Sequence, residues 1–147
     1  MELLKHILIV LDIVMSVAIL SVHAYWACGG TKLTEYVLPA YKHDYKPHLM
    51  HVKAGDQPPA WAAWCVVFCF VVQIALLVMD WVSPNIVVRV LLGVATLVFF
   101  VRFIGETNVV GLFKRERDTV FAYWDTRLYT PVCFVFALSL GALVWIG

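Results

Sequence analysis

Charge is scarce in this 147-residue chain: Asp, Glu, Lys and Arg together make up 14% of it. Soluble domains carry nearer a quarter, so an ordinary water-soluble enzyme is excluded. What charge there is balances almost completely, 11 Lys or Arg against 10 Asp or Glu, which removes the electrostatic case for nucleic-acid binding. Catalytic and cofactor signatures are missing as well. No GxGxxG, P-loop, GxSxG or HExxH pattern occurs, so no cofactor is expected. The four cysteines form no CxxC pair; Cys65 and Cys69 share a helical face, but cysteine also serves as a small apolar packing residue. His48 and His51 with Asp44 lack standard zinc spacing, and no metal site is expected.

Apolar surface is abundant, at 63% of residues with a mean hydropathy of +0.86, which excludes intrinsic disorder. Four runs are long enough to cross a bilayer, at about residues 5–27, 60–82, 86–105 and 129–146. The first resembles a cleavable signal peptide in its single Lys5 and its small residues, but Asp12 lies inside it and its length suits a span. The expected architecture is an all-α polytopic membrane protein: one four-transmembrane-helix bundle over residues 1–147, with a capping first loop and an interfacial segment before the last helix. Ser83-Pro84-Asn85 makes a compact hairpin between spans two and three, with Ser83 as helix cap.

The basic residues are distributed unevenly. The first loop carries Lys32, Lys42, Lys46 and Lys53, and the third connection with its helix ends carries Arg102, Lys114, Arg115, Arg117 and Arg127. Lys5 and Arg89 alone lie towards the other side. The positive-inside rule therefore puts the loop face in the cytoplasm and both termini outside it, in a cell inner membrane. Trp26, Trp61, Trp64 and Trp124 would form one interfacial belt, and Trp81 and Trp145 the other.

At 100° per residue, Asp12, Ser16 and His23 share a face of the first helix, Cys65, Cys69, Gln73 and Asp80 a face of the second, and Arg89, Gly93 and Thr96 a face of the third. Cys133, Ala137 and Gly141 give the fourth a small-residue face. Asp12 and Arg89 lie at similar depths, and an unpaired charge there is costly, so an intramembrane ion pair between them is expected. The functional alternative makes Asp12 a proton- or ion-coupled carboxylate of a small transporter. That reading needs a dimer, because four short helices enclose little space.

Near the basic end, His23, Arg102, Glu106, Asp125 and Arg127 converge from three segments. Arg102 and Glu106, four apart, are placed to pair. An enzyme acting on a lipid-like substrate would use His23 with Glu106 or Asp125 as acid and base, and Arg102 or Arg127 to hold an anionic group. The bland alternative is a charge network fixing the loops. The segment 107–129 mixes Val109, Val110, Leu112, Phe113, Val120, Phe121 and Trp124 with Lys114-Arg115-Glu116-Arg117-Asp118, a pattern suited to lying along a lipid surface. Trp26, Arg102, Lys114, Arg115 and Arg127 are thus the candidates for binding lipid headgroups. The expected partners are membrane lipids and a second membrane protein or another copy of the chain.

Two stretches also carry a resemblance. His23-Ala24-Tyr25-Trp26-Ala27-Cys28-Gly29-Gly30 with Val37-Leu38-Pro39 is the first. The second is Arg102-Phe103-Ile104-Gly105-Glu106, then Gly111-Leu112-Phe113-Lys114-Arg115, Phe121 and Asp125-Thr126-Arg127-Leu128-Tyr129-Thr130-Pro131. Together they resemble a family of small bacterial four-helix membrane proteins catalogued as a domain of unknown function. Cys28 departs from the small or aliphatic residue expected there. The resemblance implies four spans and a bacterial source, and brings no established activity. The reading reached from the residues is an accessory protein that binds lipid or a partner through its basic face, with the lipid-directed enzyme and the Asp12 transporter as alternatives.

Overall fold

The computed structural model describes residues 1–37, 58–106 and 108–146. It is all-helical, and four of its helical segments are long and apolar enough to cross a membrane. These are α1 (Glu2–Ala27), α3 (Ala60–Val82), α4 (Ile86–Ile104) and the continuous helical run Val120–Ile146. A single turn, α2 (Thr34–Val37), follows α1. The last run consists of α5 (Val120–Trp124), a π-helical turn (Asp125–Tyr129) and α6 (Thr130–Ile146). Helix α1 packs mainly on α3, and α4 mainly on α6, so the bundle is two close helix pairs.

The core between the pairs is built from Ile9, Phe70, Leu77, Val88, Leu92, Phe136, Leu140 and Leu143. Phe99 stacks on Phe136 with ring centroids 4.5 Å apart, and Phe70 lies 6.0 Å from both. Apolar residues elsewhere on the spans, such as Ile7, Val14, Phe68, Val94 and Leu138, are exposed, as lipid-facing positions are. Lipid tails are as apolar as leucine, so close packing and buried polar contacts must hold such a bundle together.

The α3–α4 hairpin is capped differently from expectation. Ser83 ends α3, and the cap of α4 is Asn85, whose side chain accepts a hydrogen bond from Val88 N at 3.1 Å. Asn85 Nδ2 also donates to the Ser83 carbonyl at 3.2 Å. An extended Asn85 places its carboxamide over the first free amides of the helix, so Pro84 precedes the cap instead of following it.

The last helical run begins about nine residues earlier than hydropathy indicates. Thr119 Oγ1 caps it by accepting from Ala122 N at 3.0 Å. Asp125 and Arg127 lower the local hydropathy, yet the helix tolerates them because Asp125 is paired. The expected surface-lying segment is therefore half helix, continuous with the span, and half a folded loop in which Val109 is fully buried. Most of the expected capping loop lies outside the described residues, including Tyr41, His43, Asp44, Tyr45, His48 and His51. Its described part turns towards α5: Tyr36 meets Trp124 edge-on at 6.3 Å, and Tyr129 Oη donates to the Tyr36 carbonyl at 3.2 Å.

A candidate functional site around Asp125

Helix α4 ends at Gly105, where φ is +73°, and the chain folds back through Gly111, where φ is +89°. The two glycines pack backbone to backbone. A Cβ on Gly105 would overlap the Val110 carbonyl, and one on Gly111 would overlap Gly105 itself. Only glycine meets both demands, a left-handed backbone and contact at this distance. The fold-back is tied by Leu112 N to the Phe103 carbonyl at 3.0 Å, and by the amides of Arg115 and Glu116 to the Asn108 carbonyl.

This turn delivers Gly111 N and Lys114 to Asp125, which is 0% exposed. Arg102 Nη2 donates to Oδ1 at 2.8 Å. Oδ2 accepts from Lys114 Nζ at 2.7 Å, Gly111 N at 3.0 Å and Thr130 Oγ1 at 3.1 Å. Lys114 is itself 4% exposed and donates also to the Gly111 carbonyl, while the Arg102 side chain is 33% exposed. One carboxylate thus joins α4, the folded loop and the last helix.

The π turn makes this geometry. Pro131 has no amide hydrogen to give the Arg127 carbonyl and its ring crowds that carbonyl, so a regular α ladder cannot continue there. The Thr130 amide instead bonds to the Asp125 carbonyl, five residues back, and the same spacing brings the Thr130 hydroxyl to the Asp125 carboxylate. Turns of this kind recur at functional sites.

Beside the cluster lies an open groove of about 620 Å³. Phe103, Leu112, Pro131 and Phe134 give it an apolar wall, and Lys114, Arg117 and Arg127 its charge. Among the described residues no carboxylate lines it. Arg127 is held by Tyr123, stacking over the ring at 4.1 Å from its centroid and hydrogen-bonding its hydroxyl. Arg117 Nε reaches the Lys114 carbonyl at 3.5 Å. Neither Arg117 nor Arg127 is ion-paired among the described residues. The groove sits where α4 ends and α6 begins.

The other expected site residues are arranged differently. His23 Nδ1 hydrogen-bonds the Ile19 carbonyl at 2.8 Å and its ring meets Trp26 edge-on; no described contact joins it to Glu106 or Asp125. Glu106 is exposed, and Arg102 pairs with Asp125 instead of Glu106. Trp26 is buried, its indole donating to the Lys32 carbonyl at 2.9 Å, so it closes the α1 exit and takes no place in an interfacial belt. Arg115 is exposed but does not line the groove, whereas Arg117, unselected from sequence, does. Its place in a mixed-charge run hid it; the turn at Gly111 orients it.

Within the membrane, the Asp12–Arg89 ion pair does not form. Asp12 Oδ2 is bonded by Ser139 Oγ at 2.6 Å, and Arg89 Nε is buried without a hydrogen-bond partner. The cation that meets a carboxylate is Lys5, 3.0 Å from Asp80. Because α1 lies against α3, Lys5 of α1 is answered from α3. Gln73 Nε2 likewise donates to Ser16 Oγ at 3.1 Å. Cys65 and Cys69 are exposed, away from the buried Gln73 and Asp80, and all four cysteines are free. Among the described residues no three His, Cys, Asp or Glu side chains gather as metal ligands would.

The stretches that build this site fall within a match to one family model, described as a protein of unknown function (DUF3995), over residues 16–140. The chain belongs to that family. It matches no curated protein and no solved structure. Family membership names no activity, so the site itself has to carry the functional argument.

Proposed function

We propose that this protein is an accessory protein of the bacterial inner membrane that holds an anionic lipid headgroup in the groove beside Asp125. The observation that carries the reading is charge complementarity. Arg117 and Arg127 line the groove without an ion pair among the described residues, and Lys114 and Arg102 outnumber the single carboxylate behind them. The apolar wall of Phe103, Pro131 and Phe134 suits the glycerol end and first methylenes of a lipid whose phosphate meets the arginines. Asp125 keeps the cations in place without occupying the groove. In this reading the groove faces the cytoplasm and both termini lie outside it, as the excess of Lys and Arg at this end favours.

The test is lipid retention by native mass spectrometry and by titration in nanodiscs, comparing phosphatidylglycerol with phosphatidylcholine. The wild type is expected to retain phosphatidylglycerol. Arg117→Gln with Arg127→Gln is expected to weaken it by about 2 kcal/mol, roughly thirty-fold, at about 1 kcal/mol for each charge near a lipid surface. Equal retention of both lipids by wild type and variant would sink the proposal, and a co-purifying polypeptide lost in the same variant would reassign the groove to a protein partner.

A further inference from the structure

The structure describes three essentially fully buried carboxylates, and they are not treated alike. Asp125 has Arg102 and Lys114. Asp80 has the Lys5 ammonium 3.0 Å away, although neither of its carboxylate oxygens accepts a hydrogen bond and Lys5 Nζ donates to its backbone carbonyl at 3.2 Å. Asp12, 0% exposed, has no cation among the described residues. Its Oδ2 is bonded by the Ser139 hydroxyl, and its Oδ1 is buried with no partner at all. Ten residues after Glu2, Asp12 lies about 15 Å along the helix axis, well inside the bilayer.

The surroundings offer nothing else to neutralise it. On α1, Lys5 is two turns away and engaged with Asp80. On α3 the polar groups are Gln73, which bonds Ser16, and Asp80 itself. On α4 Arg89 forms no ion pair with Asp12. On α6 there is Ser139, in a helix with no charged residue from Thr130 to Ile146. A carboxylate left bare at this depth costs several kcal/mol, which a cation bound at it would offset.

We infer that Asp12 is the seat of an exchangeable monovalent cation, a proton or a sodium ion, bound at its free Oδ1 on the carboxylate that Ser139 holds by Oδ2. Its occupant supplies the positive charge that Lys5 and Lys114 supply to the other two. The site is separate from the lipid groove and does not depend on it.

Carbodiimide labelling of the full chain in liposomes tests this, because the reagent couples to protonated carboxyl groups within membranes. An adduct is expected at Asp12, with Asp80 and Asp125 unmodified. Labelling that falls as pH rises and ignores sodium identifies the proton. Labelling suppressed by sodium chloride relative to choline chloride at one pH identifies sodium. Thermal melting of wild type against Asp12→Asn gives a second readout. The amide is neutral without a cation and still bonds Ser139, so the variant folds. The wild-type melting temperature should rise by a few degrees with increasing occupant, and that response should be lost in the variant. Either readout supports the site. Absence of an adduct at Asp12, together with identical pH and sodium responses of the two proteins, overturns it.

Discussion

Asp125 is the side chain on which the loop end of the bundle depends. Two cations and two neutral donors converge on it in a buried setting, so its removal leaves Lys114 buried and uncompensated. Asp125→Ala is expected to cost about 3–5 kcal/mol, as breaking a buried ion pair does. Arg102→Gln should cost less, about 1–2 kcal/mol, because that side chain is a third exposed and Lys114 stays in place. Denaturant titration of the three proteins in the same micelle, followed by tryptophan fluorescence, orders them. Equal losses for the two substitutions would mean that Lys114 does not share the carboxylate.

The elements at this end are positioned by backbone as much as by side chains. Helix α4 stops because Gly105 takes a left-handed conformation, and the loop returns because Gly111 can touch it. Gly105→Ala imposes both a strained φ and an overlap with the Val110 carbonyl. The fold-back should be weakened by at least about 2 kcal/mol, combining roughly 1–2 kcal/mol for the left-handed backbone with the steric term. The expected result is faster tryptic cleavage at Lys114, Arg115 and Arg117, unchanged helix content by circular dichroism, and loss of phosphatidylglycerol retention. Cleavage at the wild-type rate would show that the turn survives without glycine. The π turn is the complementary device on the last helix, since Pro131 forces the widened spacing that aims Asp125 at the returning loop.

For the molecule as a whole, the two ends of the bundle differ in kind. The end with the termini carries the Lys5–Asp80 pair and a short Asn85-capped hairpin; the other carries the Asp125 cluster and the groove. The proposed orientation makes a direct prediction. Alkaline phosphatase fused after residue 146 should be active, and a fluorescent protein fused there should be dark. The reverse pattern would place the groove outside the cytoplasm and remove the cytoplasmic leaflet as its lipid source.

Length and hydropathy are local properties, so the four spans, the limits of the first three to within a few residues and the excess of basic residues at one end could all be read along the chain; the start of the last could not, because Asp125 and Arg127 lower the hydropathy of its first turns. So could the family, through the motifs from Arg102 to Pro131. Matching each charge to its partner could not. Depth along an axis was readable for Asp12 and Arg89, but pairing also needs helix order and rotation, which arise only when α1 settles against α3 and α4 against α6. That packing gave Lys5 to Asp80, left Asp12 to Ser139, and turned Cys65 and Cys69 outward. The same holds at the groove. Gly105, Gly111 and Pro131 are visible in the sequence, but that they bring Lys114 and Arg102 to one carboxylate is a consequence of backbone contact across the fold, which residue spacing does not encode.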